Sequence, residues 1–358
     1  MLNVLDLSQN SDIEIYNRIY KIINTNDPYF LYDYLRYFTE CNSNLISFVY
    51  LDDISEKYIL MPGYISNVSI SNTQTEYKQF SSPYGYTGPL TSKEIDEKTI
   101  NQFWIDINEW YSKNNVVTEF VRFNLFENFN YYNSTLHKTM LNVKGCIINE
   151  ELQWKLFDSK VRKNVNKAKR EGLISKIIYL DITDIEIECF YDIYIKTMIR
   201  TKASKKFYYN LSDFKSFIRN NPYNSAICNV YFEEKVISSE LILVSKNSIF
   251  SFLGGTDEIF FDKRPNDFLK FELINWARRN GKDYYVLGGG YGYEDGIFKY
   301  KKSFFPNDIV TFFTGRKIVN DDIYIKLVKL NNTFRINNSL DPLSIEDESF
   351  FPLFNKID

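Results

Sequence analysis

A single histidine, His137, stands among the 358 residues. Any Ser-His-Asp or Cys-His triad would have to be built on it, yet it sits in the polar segment STLHKTML, at a turn leading into a strand. Chemistry is therefore expected to run on carboxylates, lysines, tyrosines and backbone amides. Cysteine is also sparse. Cys41, Cys146, Cys189 and Cys228 lie far apart with no CxxC pair, which excludes a disulfide framework and a zinc knuckle and reads as ordinary buried thiols. No metal is expected. Long apolar runs are missing, and the opening MLNVLDLSQNSDIEIYN lacks the basic start and apolar centre of a secretion signal. These absences predict a cytoplasmic protein with no membrane insertion. Basic charge is not in excess either: 43 Lys and Arg stand against 46 Asp and Glu, a net charge of -3. That excludes a globally basic coat for DNA and leaves room for a local phosphate-binding stripe.

What remains is globular: 44% hydrophobic and 25% charged residues, in a chain long enough for two domains. The stretch Tyr284–Phe305, YYVLGGGYGYEDGIFKYKKSFF, organises the reading. A strand-like run opens into Gly288, Gly289 and Gly290, then a loop carrying Glu294 and Asp295, then a basic-aromatic segment with Lys301. Glycines directly after a strand allow close approach of backbone to a ligand, although the spacing is neither a Rossmann nor a P-loop fingerprint.

The N-terminal half reads as mixed helix and sheet. Two short helices are expected within 12–40, a hairpin from 45–51 and 58–65 around Asp52-Asp53, a helix over 92–113 and strands at 116–123 and 140–148. Between them YKQFSSPYGYTGPL, residues 77–90, is expected to be an irregular aromatic loop whose Tyr84 and Tyr86 suit a sugar or base. Residues 150–172 predict one continuous helix. Trp154, Phe157, Val161, Val165 and Ala168 fall on one face, while Lys160, Lys163, Lys167 and Arg170 form a basic stripe on another. That stripe suits phosphates, or simply water. Beyond it come a strand (173–180), helices (184–200 and 211–219) and a three-strand meander (226–232, 236–244, 248–253). A helix from Pro265 to Arg279 follows, with Asp267 near its start, Arg278 and Arg279 in its last turn and Gly281 just beyond. Strands at 284–287 and 308–313 complete the pattern, and the polar tail after 330 is expected to be peripheral.

This order of elements resembles a GNAT acyltransferase core. More specifically, SPYGYTGPL (82–90), FVRFNLF (120–126), SKVRKNVNKAKREGL (159–173), IYIKTMIRTKASKKFYY (193–209) and LGGGYGYEDGIFKYKKSF (287–304) resemble the Fem-like peptidyltransferases. These enzymes carry two such folds in tandem and act on cell-wall or surface-polysaccharide precursors. The resemblance implies an α+β chain of two GNAT-like domains, with mixed central sheets flanked by helices. Residues 1–150 would be on the acceptor side, 151–330 on the donor side, and 331–358 a tail. The family's lysine in its aromatic-Lys-x-x-Phe pattern falls on Lys301, flanked by Tyr300 and Phe304, and is implicated in holding the acyl donor or its oxyanion. Lys301 and Asp295 are then the catalytic candidates. Gly288, Gly289, Gly290, Tyr300, Phe304, Lys163, Lys167 and Arg170 are donor-binding candidates, and Tyr84 and Tyr86 acceptor-binding ones.

The sequence departs from the pattern in three places. FFDKRPNDF (260–268) lacks the glycines of a coenzyme A pyrophosphate loop, Asn124-Leu125 stands where Asp-Pro is common, and no coiled-coil arm is evident. The implied activity is transfer of an aminoacyl group from aminoacyl-tRNA, or an acyl group from acyl-CoA, to an amino group of a cell-envelope saccharide or peptide precursor, with no tightly bound cofactor. A catalytically silent saccharide- or nucleotide-binding protein on the same scaffold is the alternative.

Overall fold

The computed structural model describes residues 2–23, 25–38, 44–52, 54–71 and 73–357. Its elements begin β1 (Leu2–Asp6), α1 (Asn10–Ile23), α2 (Tyr32–Tyr37), β2 (Asn44–Asp52), β3 (Lys57–Ile70), β4 (Thr73–Ser81), β5 (Leu90–Thr91), α3 (Glu97–Lys113) and β6 (Val116–Arg122). They continue β7 (Leu136–Cys146), α4 (Glu150–Leu156), α5 (Ser159–Arg170), β8 (Ile174–Tyr179), α6 (Asp184–Thr201), α7 (Leu211–Asn220), β9 (Ser225–Phe232), β10 (Lys235–Val244) and β11 (Ser248–Thr256). Last come α8 (Pro265–Arg279), β12 (Tyr284–Gly288), α9 (Gly296–Lys302), β13 (Ile309–Ile318) and α10 (Asp321–Asn337).

The chain divides into two compact units of interleaved segments: Met1–Asn24, Thr39–Thr139 and Phe312–Asp358 form unit 1, and Thr25–Phe38 with Met140–Thr311 form unit 2. In unit 1 the strand order is β1-β2-β3-β4-β6-β13, with β5 on β3. β4 and β6 run parallel, joined through helix α3. Apolar residues of α3 recur at helical spacing, so Ile100, Phe103, Trp104, Ile107 and Tyr111 are buried together against Phe48, Met61, Phe80 and Val121. In unit 2 the order is β7-β12-β11-β10-β9-β8, again with one parallel pair, β11 and β12, joined through helix α8. Val161, Val165 and Ala168 of α5 pack with Leu269, Leu273 and Ile274 of α8 over Val230, Ile237 and Ile242.

The two units repeat one topology: a first strand, helical connection, three-strand meander, crossover helix and parallel fifth strand. The fold is thus mixed α and β in two GNAT-like units. Each unit takes its sixth strand from out of order. β7 follows β6 in sequence yet pairs with β12, while β13 follows β12 yet pairs with β6. The N-terminal strap Thr25–Phe38 also belongs to unit 2, where Tyr29 meets Phe250 at 5.2 Å and Tyr34 meets Phe252 at 5.7 Å.

Several expectations are corrected. The helix expected over 150–172 breaks at Phe157, which adopts ψ 141, and Asp158 restarts it by accepting from Lys160 N. Residues 77–81, expected in a loop, extend β4, because Pro83 ends the strand only after its ladder with β6 is made. His137 lies on β7 rather than in a turn. The boundaries drawn at 150 and 330 give way to the interleaved segments above. The tail is not peripheral: Tyr324, Leu327 and Val328 of α10, with Leu353 and Phe354, form a buried cluster with Val68, Ile70 and Val117. Of the cysteines, Cys228 is buried, Cys189 is half-buried and Cys146 is exposed, so the buried-thiol reading holds only for Cys228. Cys41, and Asp53 of the expected turn, lie outside the described residues. Among the described residues no helix is long and apolar enough to cross a membrane, and no group of His, Cys, Asp and Glu could hold a metal ion.

Candidate functional site

In unit 2 the parallel ladder between β11 and β12 holds three residue pairs, Ser248–Tyr284, Ile249–Tyr285 and Phe250–Val286, and stops. β11 continues against β10 to Thr256. Beside the extended part of β11 lies a cavity of about 550 Å3, lined by Ser251–Thr256, by the start of α8 and by Gly296, Ile297, Tyr300 and Lys301. Gly254 and Gly255 are required by close packing: a Cβ on Gly255 would lie 2.0 Å from Thr197 Oγ1, and one on Gly254 2.7 Å from the Ser239 carbonyl. At these two positions β11 lines the cavity with backbone alone.

The start of α8 supplies the second wall. Arg264 takes φ +63, the left-handed conformation a glycine adopts without cost, and Pro265 follows at the first helical position. The turn sought in FFDKRPNDF as a glycine is made by an arginine. Arg264, at the N-cap of this fifteen-residue helix, makes no side-chain cap bond, and the first turn with its positive end lines the cavity. Asp267 also lines it, accepting from Asn164 Nδ2 at 3.1 Å, and burial raises its carboxyl above the ordinary range. The lining residues carry four basic side chains (Arg200, Arg264, Lys270 and Lys301) against two acidic ones (Glu240 and Asp267).

Lys301 stands at the third wall and donates to the Gly289 carbonyl at 2.6 Å. Burial, followed by repulsion from Lys270, lowers its ammonium to about 8. Lys270 itself is buried and bonds both oxygens of Glu240 at 2.8 and 2.6 Å, Ser251 Oγ at 2.9 Å and the Tyr285 hydroxyl at 3.1 Å. Tyr285 in turn donates to Glu240 at 3.1 Å.

The other sequence candidates are placed as follows. Tyr300 lines the cavity beside Lys301. Phe304 does not; fully buried, it meets Phe157 at 5.8 Å and Tyr300 at 5.4 Å as core packing. Gly288, with φ +76, ends β12 at a bulge against β7, Gly289 provides the carbonyl for Lys301, and Gly290 packs on Asp295. Asp295 caps α9, accepting from Tyr291, Gly292 and Phe298 backbone amides, which hold its carboxyl below the ordinary range. An acid so engaged is a helix cap rather than a free base. Lys163, Lys167 and Arg170 do not line the cavity; Lys163 and Arg170 are exposed on α5. Tyr84 and Tyr86 belong to unit 1 and lie outside this lining. Tyr84 is exposed, and Tyr86 meets Phe312 edge-on at 5.8 Å.

Sequence reading missed Lys270, Glu240, Arg200 and Arg264. Glu240 left the clearer signal, as the one charge in VISSELILV, whose other residues are apolar or small; Lys270 lies between apolar residues in FLKF. A charge kept in such a run must be paired.

Residues 159–302, which contain every residue of this cavity, match the family described as "Acetyltransferase (GNAT) domain". Among solved structures the chain is similar to FemX, with 11% identity and a TM-score of 0.61 over 88% of this chain and 98% of that one. It is similar to the C-terminal domain of a putative lysylphosphatidylglycerol synthetase from Agrobacterium fabrum, with 12% identity and a TM-score of 0.55 over 94% and 98%. It is also similar to L-PGS from Bacillus licheniformis, with 10% identity and a TM-score of 0.52 over 86% and 97%. No curated protein matches the chain. Residues 159–302 are accordingly similar to a GNAT acetyltransferase domain, on a chain whose fold is similar to that of FemX.

Proposed function

We propose that the chain is an acyltransferase that seats its donor in the unit 2 cavity. The transferred group is an aminoacyl group from aminoacyl-tRNA or an acyl group from acyl-CoA, and the acceptor is an amino group of a cell-wall or surface-polysaccharide precursor. The observation that carries this is the parting of β11 from β12 beside a sheltered lysine and an uncapped helix start. A strand edge of this kind accepts a ligand's amides by ladder bonds. A helix N-terminus with excess basic charge suits phosphate, present in both donors. Attack of a neutral amine on the donor carbonyl forms a tetrahedral oxyanion, which needs a fixed donor. Lys301, mostly protonated at neutral pH with its value near 8, supplies it, and Tyr300 shapes the pocket around it.

Two considerations favour the aminoacyl donor: the missing glycine loop in 260–268, and fold relatives that include a protein named for lysylphosphatidylglycerol, an aminoacylated envelope component. Lys163, Lys167 and Arg170, outside the cavity, are suited to the body of a tRNA rather than to the reacting group. Tyr84 and Tyr86 are assigned to the acceptor.

The test is thermal stability with coenzyme A or acetyl-CoA, and separately with aminoacylated tRNA, because a ligand that binds only the folded state raises Tm. A shift with charged tRNA, together with lost turnover but retained donor binding in Lys301→Ala, supports the proposal. A shift with coenzyme A alone selects the acyl-CoA donor. Silence with both donors overturns it in favour of a saccharide- or nucleotide-binding role.

A further inference from the structure

The ion pair Lys270–Glu240 has no direct part in the proposed chemistry. Both side chains are buried, at 5% and 4% exposure. Every proton of the Lys270 ammonium is engaged: with Glu240, with Ser251 Oγ and with the Tyr285 hydroxyl, all within 3.1 Å. Glu240 accepts from Lys270 and from Tyr285. The ammonium of Lys270 therefore has no proton left over to hold a substrate. Buried pairs of this kind contribute little net stability over apolar residues of the same volume. A reason for keeping one is needed, and its position gives it: both residues line the cavity that contains Lys301.

We propose that Lys270 and Glu240 are positioning residues for Lys301, a fixed pair of opposite charges in the cavity wall whose field sets the charge state in which the Lys301 amine meets the donor. This rests on the proposed role of Lys301 but not on the identity of the donor. The ammonium end of the pair dominates at Lys301, where the repulsion of Lys270 outweighs the attraction of Glu240. The remaining charged neighbours act in the same direction or against it in identifiable ways. Asp295, at the start of α9, attracts the Lys301 charge. Arg200 of α6 and Arg264 and Asp267 of α8 line the same cavity. The carbonyl of Gly289 orients the amine by accepting one of its protons.

The two charges make opposite predictions, which no purely structural role reproduces. Lys270→Met removes the repulsion and leaves the attraction, so Lys301 should hold its proton to higher pH. Glu240→Gln removes the attraction, so Lys301 should lose its proton at lower pH. Each shift is expected to be on the order of one pH unit. Tyr285→Phe keeps both charges and should leave the midpoint in place, and Lys270→Arg should restore it.

The readout is the reactivity of the Lys301 amine itself. Competitive acetylation of the full-length protein with isotopically labelled acetic anhydride at a series of pH values, read by peptide mass spectrometry, gives its titration midpoint without any turnover assay. Should either single variant fail to fold, the double variant Glu240→Gln/Lys270→Met removes the whole pair at similar volume, and Lys301 should then titrate above the wild-type midpoint but below that of Lys270→Met. Opposite shifts in the two single variants support the proposal. An unmoved midpoint, or shifts of the same sign, overturns it. Parallel pH–rate profiles separate this from the proposed function: if the midpoint of Lys301 moves while the rate profile does not, the pair tunes Lys301 as stated and Lys301 is not the catalytic cation.

Discussion

The Asp295 carboxylate fills the space that any side chain on Gly290 would need, since a Cβ there would lie 2.0 Å from Asp295 Oδ1. The loop after β12 is thereby folded onto the cap of α9, the helix that carries Lys301. Asp295→Ala is expected to fray α9 and lower Tm, with turnover falling because Lys301 is no longer held. Asp295→Ser, which can still cap, should retain more of both. Gly290→Ala should resemble Asp295→Ala. Thermal unfolding and steady-state rates check this together: lost turnover in Asp295→Ala at unchanged Tm would return Asp295 to the role of base.

Lys301 makes stability depend on pH in a defined direction. Its folded-state value near 8 lies below the ordinary 10.5. Between these values the unfolded chain binds a proton that the folded chain has released. Stability therefore rises with pH across that window and gains nothing from this group below it. The full span corresponds to roughly 3 kcal/mol. Lys301→Met should lose that rise and be more stable than wild type at neutral pH. Urea midpoints of the two proteins, measured from neutral to alkaline pH, give the difference directly.

Gly255 sits where β11 passes α6, and a Cβ there would meet Thr197 Oγ1 at 2.0 Å and the Ile193 carbonyl at 2.9 Å. Because one of these contacts is backbone, α6 would have to shift. Gly255→Ala is expected to destabilise by about 1–3 kcal/mol and to weaken donor binding by displacing β11. Adding Thr197→Ala should recover only part of the loss. Chemical denaturation and donor titration test both statements.

Tyr34 of α2 is fully buried, 5.0 Å from Tyr29 and 5.7 Å from Phe252 of β11. Tyr34→Ala should cost about 3–5 kcal/mol as a large buried aromatic deletion. Its distinctive signature is local: amide exchange should quicken in β11 more than in β8, the strand farthest from it in the unit 2 order. Uniform acceleration across the unit would contradict a specific role for the strap.

Much of this molecule was legible in its sequence where local rules agree. The α8 helix was read to the residue because Pro265, Asp267, Arg278, Arg279 and Gly281 all point to the same ends. The meander β9–β11 was equally plain from its turns. Lys301 was found through the family pattern and does line the cavity. The break at Phe157 escaped because apolar spacing runs through it unchanged, and only the extended backbone of Phe157 and Asp158 marks it. Arg264 escaped because nothing in FFDKRPNDF, which has no glycine, marks an arginine as left-handed. β7 and β13 were legible as strands, but their exchange was not, since pairing between distant segments leaves no mark on local periodicity.

That exchange fixes an order of assembly on the ribosome. All segments of unit 2 have been synthesised by Thr311, whereas unit 1 waits for Phe312–Asp358. The segments of the later-translated unit are thus the first to be complete, and β6 must persist unpaired on one side until β13 is delivered.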